Sequence, residues 1–137
     1  MSTPQPLNRR QKLAYIIFTS DYRAVALLLS WELIGMGAWM LNPFIDSFSA
    51  SASYAVFGQV ANEVVWGVLY VVVGAGMFWF ACLSENYTWR RVFCFLAAAI
   101  WGWMGITYFI LTAGVIGIPL YLFHALTSAW IYWRAEG

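Results

Sequence analysis

Hydrophobic residues fill four long runs of this chain, and short polar segments separate the runs. A helix needs about 20 predominantly apolar residues to cross the hydrocarbon core of a bilayer, and each run is long enough to do so. The pattern predicts four membrane-spanning helices, at about 22–41, 57–83, 92–113 and 117–133. Because short connections make sequential helices antiparallel, we expect an all-α, up-down four-helix bundle in the membrane.

Residues that stop or start helices lie at the predicted span boundaries. Asn42-Pro43 is expected to end the first span, because a residue that precedes proline is restricted away from helical backbone. Pro119 lies near the start of the fourth span, where its missing N–H costs little. An inner loop over 84–91 is predicted between the second and third spans.

Residues 1–21 form a predicted cytoplasmic lead, and residues 22–137 form the bundle. Asn8 and Gln11 have the spacing of a helix cap, so a short helix over about 9–18 is one interpretation of the lead. That helix would be too short to span the bilayer and would lie in the headgroup layer. An ordinary cytoplasmic lead is the equally favoured alternative.

Composition supports a membrane protein with little soluble mass. Hydrophobic residues make up 63% of the chain and charged residues only 9%, whereas a soluble domain has about 25% charged residues. The net charge of +1 argues against a nucleic-acid-binding surface. We therefore expect the lipid bilayer, and no nucleic acid, as the chain's surroundings.

The basic residues all fall on one side of the predicted membrane. They are Arg9, Arg10, Lys12, Arg23, Arg90, Arg91 and Arg134. Lys and Arg are retained on the cytoplasmic side of membranes, so both termini are predicted to be cytoplasmic. We assign these side chains to topology and to headgroup contacts.

Ionisable and hydroxyl side chains inside the spans form a predicted intramembrane polar cluster. Glu32 lies near the middle of span one, Glu63 in the outer third of span two, and His124 near the middle of span four. Thr127 and Ser128 follow His124 at helical spacings of three and four. Counting depth from the span ends places Glu32 and His124 at a similar level, where they can meet.

Three interpretations of the cluster remain open. Glu32 and His124 can hydrogen-bond across helices and hold the packing, line a proton or ion pathway, or face a neighbouring subunit and set the oligomer geometry. Structural and oligomeric roles together are favoured. An enzyme is not expected, because the chain lacks a recognisable catalytic set, a metal-binding spacing or a phosphate loop. No metal or other cofactor is predicted.

Small residues predict close helix packing, because they let helix backbones approach one another in membranes. Glycines in the first three spans are assigned to this role: Gly35, Gly67, Gly74, Gly102 and Gly105. Their spacing does not say whether the partner helix belongs to the same chain, so a homo-oligomer is also expected.

Short motifs along the chain resemble those of small four-span membrane proteins encoded by tailed bacteriophages. The motifs are Ser30-Trp31, the turn with Pro43, Asp46, Ser47 and Phe48, then Tyr54, Glu63 with Trp66-Gly67, Arg90-Arg91, and Trp101. They cover most of the chain from residue 30 onward. The resemblance implies a protein of the bacterial inner membrane.

Two functions from different classes follow from the resemblance. A holin-like or channel-forming protein would self-associate and permeabilise the membrane. A non-conducting interaction protein would instead bind a host or viral membrane protein, in superinfection exclusion or in virion assembly. The first function is our expectation and the second is the alternative.

Overall fold

Helices make up nearly all of the chain that the computed structural model describes, which is residues 21–44, 57–111 and 117–134. These residues contain no strand, so the all-α prediction is confirmed. The long helices are α1 (Asp21–Met40), α2 (Glu63–Met77, continued by a π-helical segment, Phe78–Leu83), α3 (Tyr87–Leu111) and α4 (Gly117–Arg134). The predicted N-terminal helix lies outside the described residues.

Two of the described helical segments are long and apolar enough to cross a membrane. They are Tyr22–Met40 and Glu63–Leu83, with mean hydropathies of 1.2 and 2.0. They correspond to the first and second predicted spans. The described parts of α3 and α4 add no further segment of this kind, so the third and fourth spans stay predictions.

The second helix begins later than the predicted start at residue 57, so that boundary was wrong. Residues 57–60 form a separate helical turn, and the chain then bends at Ala61. The side-chain oxygen of Asn62 accepts the N–H of Val65 at 2.9 Å and caps α2, which starts at Glu63. A polar cap inside an apolar run starts a new helix because it satisfies an otherwise unpaired backbone N–H.

The predicted inner loop over 84–91 was also too long, because its second half is helical. Asn86 accepts the N–H of Trp89 at 3.2 Å, and its own N–H donates to the Ser84 hydroxyl at 3.1 Å. These bonds start α3 at Tyr87 and shorten the loop to residues 84–86. By contrast, Asn42 ends α1 as expected, and its side chain accepts the Phe44 N–H at 3.1 Å.

The helices pack mainly as two antiparallel pairs, α1 with α2 and α3 with α4. Between the pairs, the Tyr70 hydroxyl on α2 donates to the Met104 sulfur on α3 at 2.6 Å. Fully buried apolar side chains around this contact include Leu33, Val73 and Met77. The bundle core therefore lies at the level where the two helix pairs meet.

Glycines permit the close approach of α1 and α2, although not all of those predicted to do so. A Cβ on Gly67 would lie 2.7 Å from the Leu41 side chain, and one on Gly74 would lie 3.0 Å from the Ile34 nitrogen. The tightest backbone position is Gly37, a further small residue of the first predicted span that was not among the glycines assigned to packing. A Cβ there would lie 2.7 Å from the Gly67 carbonyl oxygen.

The helix-packing role assigned to Gly35 was wrong within the subunit. Among the described residues, no heavy atom lies within 4 Å of a Cβ built there. Gly35 and Gly37 point in nearly opposite directions, since each residue turns a helix by about 100°. A Cβ on Gly102 would make only an ordinary 3.9 Å contact with Ala125, whereas a Cβ on Gly105 would lie 3.1 Å from the Leu122 side chain.

Arginine side chains hold the π-helical end of α2. Arg90 is buried and donates to the carbonyl oxygens of Phe80 at 3.4 Å and Ser84 at 3.1 Å, and to the Tyr22 hydroxyl at 2.9 Å. Arg23 reaches the Cys82 carbonyl oxygen at 3.5 Å. The guanidinium of Arg90 is therefore enclosed by the protein and bonded to it, and the headgroup contact assigned to this residue stays a prediction.

Candidate functional site

Helices α1 and α4 bring Glu32 and His124 into direct contact. The Nε2 atom of His124 lies 2.5 Å from a carboxyl oxygen of Glu32. Glu32 lies eight residues before the end of α1 at Met40, and His124 lies seven residues after the start of α4 at Gly117. At 1.5 Å per residue, both lie about 11 Å to 12 Å from the same end of the bundle. The contact predicted from depth is present.

A backbone contact orients the His124 ring. Its Nδ1 atom lies 2.5 Å from the Leu120 carbonyl oxygen, which can only accept, so we assign the proton of this bond to Nδ1. The other ring nitrogen, Nε2, is thereby turned toward the carboxyl oxygen of Glu32.

The two members of the pair differ in exposure. The His124 side chain is 10% exposed, whereas the Glu32 side chain is 49% exposed. Glu32 thus lies on the outer surface of the bundle at mid-height, with His124 behind it. Leu28 and Gly35 are exposed on the same side of α1, four residues before and three residues after Glu32. Trp31, which directly precedes Glu32, is also exposed and lies three residues from Leu28 and four from Gly35. We call these four residues the α1 face.

A cleft opens beside the pair, between α1, α3 and α4. It has a volume of about 340 Å³ and is lined by Glu32, Gly35, Met36, Trp101, Leu120, Tyr121 and His124. The indole of Trp101 stacks on the Tyr121 ring at 5.9 Å and contacts the His124 ring at 4.9 Å between centroids. The Trp101 indole therefore packs against the imidazole that contacts Glu32.

Buried polar atoms next to the pair have no hydrogen-bond partner in the described structure. They are the indole nitrogen of Trp101 and the hydroxyl oxygen of Ser128, which lies one helical turn beyond His124. An unsatisfied buried polar group costs about 1–3 kcal/mol. We therefore expect water molecules to enter the bundle at this level.

The other members of the predicted polar cluster lie elsewhere. Thr127 donates its hydroxyl to the Phe123 carbonyl oxygen at 2.7 Å, a bond within its own helix. Glu63 lies in the first turn of α2, in a separate pocket that also contains Leu41 and Asn42. The cluster is therefore reduced to Glu32 and His124, with Ser128 behind them.

Two contributors to the site, Gly35 and Trp101, were not assigned to it from the sequence. Gly35 lines the cleft because of its orientation on α1, and Trp101 reaches His124 from α3. Helical spacing places Gly35 three residues from Glu32 on the same helix, so this signal could have found it. The same spacing contains no signal for Trp101, which comes from a different helix.

The described residues contain no group of three or more His, Cys, Asp or Glu side chains placed to hold a metal ion. The site offers one carboxyl group and one imidazole, which can exchange protons and contact ions. Comparison with known proteins finds no matching family model, no matching curated protein and no matching solved structure.

Proposed function

We propose that the chain is a four-span integral membrane protein that self-associates through the α1 face and conducts protons or other small ions past Glu32 and His124. Its apolar exterior supports the membrane location. Large hydrophobic side chains are exposed on every long helix, for example Leu28, Val68 and Leu126. In each of the two apolar segments that are long enough to span, only 33% of the residues in the apolar stretch are buried. Soluble monomers rarely expose such large apolar surfaces.

The lengths of α3 and α4 support two further spans. These helices contain 25 and 18 residues, which correspond to about 37 Å and about 27 Å at 1.5 Å per residue. The hydrocarbon core of a bilayer is about 30 Å thick. Both helices therefore match a bilayer when they stand beside α1 and α2.

The contacts that the arginines make with neighbouring helices support the proposed orientation. Arg23 contacts the end of α2, Arg90 contacts Tyr22 at the start of α1, and Arg91 contacts Tyr132 near the end of α4. The described basic side chains in these contacts lie at one end of the bundle. Because basic residues are retained inside, that end is assigned to the cytoplasm. The resemblance to phage proteins favours the bacterial inner membrane.

The contact between a half-exposed Glu32 and His124 at mid-height is the observation that carries the proposal. An ionisable side chain at the centre of a bilayer costs about 2.5–3.5 kcal/mol on biological insertion scales. The cost is reduced when the exposed carboxyl group faces water or another subunit. Since no described atom approaches Gly35, a second helix can pack there and enclose the cleft.

The position of the cleft favours a path between subunits. It opens on the outside of the bundle, so a neighbouring α1 face would convert it into an enclosed passage. A proton can pass between Glu32 and His124 across their 2.5 Å contact. Water bound at Trp101 and Ser128 would extend the path beyond the pair.

Proton flux into liposomes that contain the purified protein and an internal pH-sensitive dye tests this function. We expect Glu32→Gln and His124→Ala to lower the flux by at least tenfold, which corresponds to about 1.4 kcal/mol of barrier. Glu63→Gln is the matched control, because it removes an acid outside the pair and should change the flux less than about twofold. Far-UV circular dichroism checks that each variant is folded.

Self-association is measured separately, by sedimentation in mild detergent. Gly35→Leu would fill the open position on the α1 face, and we expect it to dissociate the oligomer. A wild-type oligomer with no flux above that of empty liposomes would contradict conduction. It would favour the non-conducting interaction protein, in which the same face binds another membrane protein.

A further inference from the structure

A second cleft lies at the arginine end of the bundle, between α3 and α4. It has a volume of about 450 Å³ and is lined by Tyr87, Thr88, Arg91, Val92, Phe95, Leu96 and Tyr132. Polar groups occupy one end of this lining and apolar side chains the other. Among the described residues that line it, Arg91 is the one charged side chain.

Two tyrosines hold the Arg91 guanidinium in place. Its terminal nitrogens donate to the hydroxyl oxygens of Tyr87 at 2.6 Å and Tyr132 at 2.7 Å. The guanidinium carbon also lies 4.3 Å from the Tyr132 ring centroid and 5.2 Å from that of Tyr87. Each tyrosine oxygen accepts from Arg91, so both hydroxyl groups lie beside the guanidinium at the polar end of the cleft. The three side chains form a cation flanked by two hydroxyl groups.

The apolar part of the cleft continues along α3 from this cation. Val92, Phe95 and Leu96 lie one, four and five residues beyond Arg91 on the helix and are exposed. In the proposed orientation they enter the cytoplasmic leaflet, while Arg91 stays at the level of the headgroups. A molecule that matches this lining has an anion at one end and a hydrocarbon chain at the other.

We propose that this cleft binds an anionic phospholipid. The phosphate contacts Arg91 and the hydroxyl groups of Tyr87 and Tyr132, and one acyl chain lies along Phe95 and Leu96. Arginine suits this role because its planar guanidinium binds phosphate oxygens with good geometry. The proposal rests on the membrane orientation proposed above and is independent of self-association and of ion conduction.

Native mass spectrometry of the delipidated protein in detergent tests the site, with dioleoyl phosphatidylglycerol as the probe. We expect Arg91→Gln to weaken binding by about tenfold, through loss of charge-assisted hydrogen bonds. The control is Arg134→Gln, which removes a charge at the same end but outside the cleft and should change binding less than about twofold. Tyr132→Phe keeps the ring, removes one hydroxyl, and should weaken binding by a smaller factor.

Two further probes separate the parts of the lipid. Dioleoylglycerol has the same acyl chains without phosphate, and inorganic phosphate has no acyl chain. We expect both to bind more weakly than phosphatidylglycerol. The proposal would be overturned if dioleoylglycerol or inorganic phosphate bound as tightly as phosphatidylglycerol. It would also be overturned if Arg91→Gln and Arg134→Gln weakened phosphatidylglycerol binding equally. The absence of proton flux in liposomes would not change the lipid binding measured here, so each proposal can fail without the other.

Discussion

Replacing Gly37 by alanine tests how closely α1 and α2 approach. A Cβ at this position would lie 2.7 Å from the Gly67 carbonyl oxygen and 2.9 Å from the Val71 nitrogen. Both neighbours are backbone atoms, so rotation of a side chain cannot relieve the overlap. The two helices must separate by several tenths of an ångström, and the packing between them loosens.

The expected magnitude follows from two opposing effects. Overpacking in a tight interior costs about 1–3 kcal/mol, while replacing glycine by alanine in a helix gains about 0.5–1 kcal/mol. We therefore expect Gly37→Ala to lower the free energy of unfolding by about 0–2.5 kcal/mol. Gly35→Ala is the matched control on the same helix. It meets open space, and we expect a gain of about 0.5–1 kcal/mol.

Unfolding in mixed micelles with increasing dodecyl sulfate, followed by tryptophan fluorescence, measures both variants. The protein is kept well below one molecule per micelle, so that self-association does not contribute to the free energy. The difference between Gly37→Ala and Gly35→Ala should be about 1–3 kcal/mol. Equal shifts of the two midpoints in the same direction would refute the close approach of α1 and α2 at Gly37.

Two other predictions test the arginine end of the bundle. Arg90→Gln should lower the free energy of unfolding by at least about 2 kcal/mol, because the buried carbonyl oxygens of Phe80 and Ser84 lose their donor. Arg134→Gln, at an exposed position, should change it by less than about 0.5 kcal/mol in the same titration, and equal effects would argue against the bonding of Arg90. Green fluorescent protein fused to the C-terminus should fluoresce in cells and alkaline phosphatase fused there should be inactive; the reverse pattern would contradict the proposed orientation.

The contact between Glu32 and His124 shows what depth counting can achieve. Antiparallel helices of known ends place residues at comparable heights, because each residue adds a constant rise. That arithmetic needs only span boundaries and helix order, both of which follow from the hydrophobic pattern. Depth counting therefore predicted a contact between α1 and α4, which lie near opposite ends of the sequence.

Depth counting does not extend to direction around the helix axis. Gly35 and Gly37 are equivalent in composition and nearly equal in depth, yet only Gly37 faces α2. The same limit applies to Thr127 and Ser128, of which Ser128 is buried and Thr127 bonds within its own helix. Direction depends on which partner helix lies beside each position, and that partner is determined by packing.

Asparagines that cap helices displaced two of the predicted boundaries. Asn62 and Asn86 each cap a helix, although the hydrophobic pattern predicted a continuous span around Asn62 and a longer loop around Asn86. An asparagine in such a position can cap, turn or face solvent. Which of these an asparagine adopts depends on whether the backbone N–H groups of the next turn can donate to its side chain.

The sequence by itself determined the all-α class, the approximate positions of the helices, and the shared level of Glu32 and His124. Hydrophobic periodicity and rise per residue are local properties, so they can be read along one chain. Only the tertiary structure decided that Glu32 is half exposed, that Trp101 contacts the imidazole, and that Arg90 is enclosed. These features depend on neighbouring helices, whose positions and rotations follow from packing of the whole bundle.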